Sequence, residues 1–171
     1  MAIDRVLTVL LAALWLSACG LVQSPGTDDD AAVRRAFVVL KSARAATLYS
    51  LEPVPEAQSG APRLHSYDVL GSVRLKAAAT VRASNAILGE LEPSDWIAAC
   101  FNPRQALRVV ADDHVFDYVV CDECGRVRFY RDGKIVGEES YRGRSPVLKR
   151  LLTEAGIRQS TSDVDMWKRA P

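Results

Sequence analysis

Histidine and methionine are scarce in this chain of 171 residues, two of each, and aromatic residues make up only 7%. Neither sign of charge predominates: 22 Lys and Arg face 21 Asp and Glu, a formal charge of +1. That balance removes the electrostatic footprint of a dedicated nucleic-acid binder, which needs a strong basic excess. Four cysteines are too few for a disulfide-dense scaffold, and two histidines leave a metal few partners. The chain has no P-loop, no dinucleotide glycine fingerprint, no H-E-x-x-H and no G-x-S-x-G elbow. What is present, 49% hydrophobic and 25% charged residues, describes one ordinary globular domain with a usable core.

The N-terminus carries an address. Met1–Arg5 is a short segment whose cation, Arg5, is partly offset by Asp4, and Val6–Leu16 follows as eleven uncharged, mostly apolar residues. Eleven is the length of a secretory apolar core and well short of the roughly 20 residues that span a bilayer. Leu16-Ser17-Ala18-Cys19 then closes the segment. This sequence resembles the lipobox of bacterial lipoproteins, in which small residues admit a peptidase and the cysteine takes a lipid. The resemblance implies a signal peptide over residues 1–18, a lipidated Cys19 as the first mature residue, and a membrane partner through that lipid. Gly20 in place of the Asp that commonly retains such proteins in the inner membrane implies the outer membrane, facing the periplasm.

Beyond the anchor, residues 19–27 read as the lipidated N-terminus and its tether, 28–157 as one domain, and 158–171 as a polar tail containing Trp167. Thr27 and Asp28–Asp30 offer a cap and favourable charges for a helix running to about Ala46, with Val33, Ala36, Phe37, Leu40 and Ala43 along one face. Strands are predicted at Thr47–Leu51 and Leu64–Leu70, a second helix at Leu75–Leu88, and a helical turn at Pro93–Ala99. A β meander follows at 106–111, 114–121, 126–131 and 134–138, with Asp132-Gly133 as a strong hairpin signal. Ser145-Pro146 opens a third helix that Gly156 closes. The expected fold is α+β: a single domain in which about three helices pack on a mostly antiparallel sheet.

Register sharpens the meander. With Asp122–Gly125 as the loop, Cys121 faces Arg126 and Val119 faces Arg128, placing Phe116, Tyr118, Val120, Val127 and Phe129 on one core face. Asp117, Val119, Cys121, Arg126, Arg128 and Tyr130 fall on the other, where solvent-facing strand residues are commonly charged and Asp117 is expected to pair with Arg128. Arg104, Arg108, Arg126 and Arg128 form a candidate cationic strip for an anionic partner, unless carboxylates neutralise them. His65, Ser66 and Asp68 superficially offer a catalytic set, but alternation along a strand would point His65 and Ser66 apart.

Three cysteines remain after Cys19: Cys100, Cys121 and Cys124. The C-x-x-C at 121–124 lies between strands and not at a helix N-terminus, which argues against redox catalysis of the thioredoxin kind. A C-x-x-C-G turn resembles a zinc knuckle, with Cys100 as a third ligand and His65 as a candidate fourth; His114 is about 23 Å up its strand from Cys121. A disulfide among the three is the alternative in an oxidising compartment, and Cys100 paired with Cys121 or Cys124 would close a loop of 20-odd residues. Cys100-Phe101-Asn102-Pro103-Arg104 with Cys121-x-x-Cys124 also resembles a pattern recurring in bacterial proteins of no assigned activity, in which a His is expected where this chain has Gln105. The function expected is a non-catalytic binding, inhibitory or structural role in the envelope, without a cofactor, beside an envelope protein or glycan. Its alternative is a zinc-binding protein or metal-dependent enzyme using Cys100, Cys121 and Cys124.

Overall fold

In the computed structural model the described residues are 28–54, 60–92, 101–143 and 145–162. The signal segment, the lipobox with Cys19, the tether, the turn expected at 93–99, Cys100 and the tail from 163 lie outside them. The order of elements is α1 (Asp28–Ser42), β1 (Ala46–Glu52), β2 (Arg63–Leu64), β3 (Tyr67–Leu75), α2 (Ala77–Gly89), β4 (Gln105–Ala111), β5 (His114–Cys121), β6 (Arg126–Arg131), β7 (Lys134–Ser140) and α3 (Val147–Glu154). The seven strands form one antiparallel sheet in the order β2-β3-β1-β4-β5-β6-β7. Three helices on an antiparallel sheet make the single α+β domain expected from the sequence.

Local chemistry accounts for the joints. Asp112 and Asp113 take φ of 50° and 61°, and Asp132 and Gly133 take 50° and 81°, the left-handed pairs that a two-residue hairpin needs. α1 stops at Ser42, short of the expected Ala46, and the Ser42 hydroxyl donates to the Val38 and Val39 carbonyls of its last turn. The Arg44 guanidinium in turn takes the Ser42 and Ala43 carbonyls, and the chain turns into β1. The strand expected at Leu64–Leu70 is two strands of a hairpin, folded at His65-Ser66 with φ of 55° at His65. Gly156, at φ 70°, ends α3: its N–H donates to the Thr153 carbonyl and that of Ile157 to Leu152.

All three helices cover the same sheet face. Ala36, Val39 and Leu40 of α1, Ala83 and Ile87 of α2, and Leu148, Leu151 and Leu152 of α3 meet Leu48, Leu107 and the expected face of Phe116, Tyr118, Val120, Val127 and Phe129. The Tyr118 hydroxyl, buried in this layer, is satisfied by the Ala36 carbonyl at 2.6 Å. The opposite face is not the solvated surface expected. Leu51, Leu64, Ala106, Val119 and Tyr130 form a second buried cluster there, flanked by Tyr49, Tyr67, Val69 and Phe101. Bulges at Ser50/Leu51 and Phe129/Tyr130 help bend the sheet around it.

The α1–β7 contact leaves no room for a side chain at Gly137, where an added Cβ would meet Val33 Cγ2 at 2.5 Å. Val33 is β-branched and cannot swing aside cheaply. Gly137→Ala is therefore expected to destabilise the fold by about 1–3 kcal/mol, measured by urea unfolding. A double-mutant cycle with Val33→Ala should recover part of that loss; simple additivity would mean that the close approach is not the cause.

Candidate functional site

The second sheet face holds a polar cluster built around a buried carboxylate. Register sets Arg108 of β4, Asp117 of β5 and Tyr130 of β6 side by side. Asp117 lies within the run Phe116–Cys121, every residue of which is buried, and is itself only 1% exposed. A carboxylate so placed must be paired, since an isolated buried charge costs several kcal/mol. Its partner is Arg108 and not the expected Arg128: Nε donates to Oδ1 at 2.7 Å and Nη2 to Oδ2 at 2.8 Å. The same guanidinium lies 5.5 Å from the Tyr49 ring centroid.

The third member arrives from the far end of the sheet. The β2–β3 turn brings the His65 ring onto Tyr130, stacked with centroids 3.6 Å apart, and sets Nε2 at 3.0 Å from Asp117 Oδ2 without the alignment of a hydrogen bond. Because several strands separate β2 from β5 in the sheet, this contact requires the sheet to curl until the hairpin meets β5 and β6. Burial pushes the Asp117 carboxyl up, but the Arg108 fork and His65 outweigh it and hold the group below its ordinary value. Burial also raises the hydroxyls of Tyr67 and Tyr130.

The remaining arginines of the expected cationic strip are likewise paired. Arg126 and Arg128 both bond the Glu138 carboxylate, and Arg128 stands 3.8 Å over the Phe101 ring. Arg104 donates to Glu123 at 2.9 Å and to the carbonyls of Ser160 and Ser162. The first residues of the expected polar tail are thereby docked at Ser160 and Ser162. The docked strap bounds two polar clefts of about 510 and 330 Å³, the larger beside Glu52, Asp68 and Arg158, the smaller beside Arg104, Gln105 and Lys149. Gln105, expected to stand where a ligand His would be, is buried, and its Oε1 lacks a partner.

Of the cysteines singled out, Cys121 and Cys124 come together as a disulfide with Cα atoms 5.3 Å apart, both sulfurs buried. The Cys124 N–H donates to Cys121 Sγ at 3.1 Å and the Asn102 N–H to Cys124 Sγ at 3.2 Å, with Phe101 packed alongside. Loop-closure entropy for so short a ring is worth about 2 kcal/mol, against about 3 kcal/mol for the longer loop through Cys100. His114 is engaged by Asp132 at 2.7 Å and Arg131 at 2.6 Å, at the opposite end of β5 from Cys121. Among the described residues no group of three or more His, Cys, Asp or Glu is arranged to hold a metal.

Sequence reasoning missed the Arg108–Asp117–His65 cluster. The one visible signal was an acid inside the apolar run Phe116–Cys121, which demands a buried cation. The geometry neutralises charge and joins distant strands; it turns His65 toward Asp117 and covers the ring with Tyr130. Comparison with protein-family models, curated proteins and solved structures returned no match, so the chain's own chemistry carries the functional reading.

Asp117→Asn should cost about 1.5–3 kcal/mol of stability in urea unfolding, because it weakens the charged fork while the one-third exposed Arg108 side chain is left partly to water. The pH dependence has a definite sign. With the folded carboxyl held below its ordinary value of 3.8, its stabilisation is complete above that value and is lost as pH falls through the folded value. Acid unfolding of the wild type should therefore be steeper below pH 3.8 than that of Asp117→Asn; coincident slopes would contradict the pairing.

Proposed function

We propose that this chain is a lipid-anchored cell-envelope protein at the periplasmic side of the outer membrane, with a binding, inhibitory or structural role and no catalysis of its own. The single observation that carries it is the lipobox-like Leu16-Ser17-Ala18-Cys19 after an eleven-residue apolar run. One acyl chain anchors only marginally, at about 0.8 kcal/mol per buried methylene, whereas the two or more that such a cysteine takes hold stably. The Cys121–Cys124 disulfide is in keeping with an oxidising compartment. The pairing of Arg104, Arg108, Arg126 and Arg128 with carboxylates favours an envelope protein or glycan as partner over a polyanion held by a bare cationic strip. Zinc on Cys100, Cys121 and Cys124 is the competing reading, and the two N–H donors at the sulfurs are the feature that favours it.

Expression of the full chain in a diderm bacterium fed an alkyne fatty acid tests the anchor. The expected outcome is acyl label in the outer-membrane fraction, abolished by Cys19→Ala along with membrane retention. An unlabelled wild-type protein recovered in the soluble fraction would overturn the assignment. Native mass spectrometry of the same preparation is expected to show no bound zinc; one stoichiometric zinc would favour the metal reading.

A further inference from the structure

The Cys121–Cys124 pair is poorly suited to being a permanent staple. It joins Cys121, held opposite Arg126 at the end of the β5–β6 ladder, to Cys124 in the turn that follows, and it closes the shortest ring the three body cysteines allow. A cross-link over so few residues removes less freedom from the unfolded chain than one through Cys100 would. Yet the surroundings of the sulfurs are specific. Two backbone N–H groups point at them, Cys124 N–H at Cys121 Sγ and Asn102 N–H at Cys124 Sγ, and neither belongs to a helix.

A disulfide sulfur is a weak acceptor and gains little from an amide donor, whereas a thiolate gains much more, because hydrogen bonds to ionised groups are roughly twice as strong. Fixed N–H groups thus favour the reduced state over the disulfide, as a helix N-terminus or amide nest does in other thiol sites. Burial of both sulfurs works in the other direction on the charge and slows access. The Asn102 carbonyl also lies 3.4 Å from Cys121 Sγ, placed to accept from that thiol once reduced. The neighbouring cations are spoken for, Arg104 by Glu123 and Lys149 by Asp122, so the two amides and this carbonyl are the specific contribution.

We infer that Cys121-Asp122-Glu123-Cys124 is a reversible dithiol–disulfide site, taking as co-reactant a thiol reductant of the envelope. A reductant thiolate attacks one sulfur, the S–S bond breaks and a mixed disulfide forms. A second reductant thiol then attacks the reductant sulfur of that mixed disulfide and releases the remaining protein cysteine. Two electrons and two protons pass to Cys121 and Cys124, and the reductant leaves as its own disulfide. The inference deepens the envelope reading and rests on it for the compartment. Acylation of Cys19 and the thiol state of the pair are read separately, so either can fail alone.

The test is equilibration of the full chain, without denaturant, in glutathione buffers of graded ratio, approached from the oxidised and the reduced side. Acid quenching, maleimide alkylation and intact mass then count free thiols. The expected result is a gain of two alkylated thiols in reducing glutathione while circular dichroism stays native. Asn102→Pro, which deletes that N–H donor together with the side chain and fixes φ, should shift the midpoint roughly tenfold toward the disulfide. Asn102→Ala keeps the backbone donor and should leave the midpoint where it was. A pair that stays oxidised until denaturant is added would make it a structural staple and overturn the inference, as would wild-type protein isolated with all three body cysteines free. Should Asn102→Pro fail to fold, the wild-type titration still decides.

Discussion

The carboxylate of Asp117 has been taken out of water in the middle of an apolar strand, and that cost constrains everything on its side of the sheet. Arg108 satisfies both oxygens as a fork, and its own guanidinium rests beside Tyr49. His65 can reach the same carboxylate only if the β2–β3 hairpin swings over the sheet. Once there, it stacks on Tyr130 and brings Leu64 and Tyr67 against Leu51, Ala106 and Val119. Charge pairing and apolar burial thus depend on the same bend. An ion pair of this sort adds little net stability compared with a hydrophobic substitute; its effect is to make one arrangement of the strands cheaper than the alternatives.

Much of the frame was legible in the sequence because it rests on local signals. The β5–β6 register followed from a turn at Asp122–Gly125, and the five residues predicted for the core face are the ones the helices cover. Asp132-Gly133 and Gly156 took the backbone conformations their chemistry suits. The site was less legible because it is non-local. Asp117 paired across β4–β5 rather than β5–β6, and nothing near His65 in the chain reveals that its turn meets residues 117 and 130. Alternation placed Asp117 on the face opposite Phe116 correctly; the error was to take that face as solvated. Only the curl of the sheet buries it.

The two ends of the protein's chemistry are consistent with one compartment. Under the proposed lipidation of Cys19 the body would sit at a membrane within reach of envelope oxidants and reductants, and the only disulfide among the described residues is the short Cys121–Cys124 pair. The loop that carries it is also a junction. Asn102 contacts the sulfur, Glu123 holds Arg104, Arg104 holds the strap at Ser160 and Ser162, and Asp122 holds Lys149 of α3.

The central claim is that the buried charged cluster, and not apolar contact alone, closes the hairpin over the sheet. Hydrogen exchange read by mass spectrometry compares the wild type with Arg108→Met/Asp117→Leu, a pair of apolar replacements of similar size that leaves no orphaned charge. The account predicts markedly faster exchange in residues 63–69 of the double variant, with β4–β6 still protected. Equal protection of 63–69 in the two proteins would contradict it, and would mean that Leu64 and Tyr67 hold the hairpin without help from Asp117.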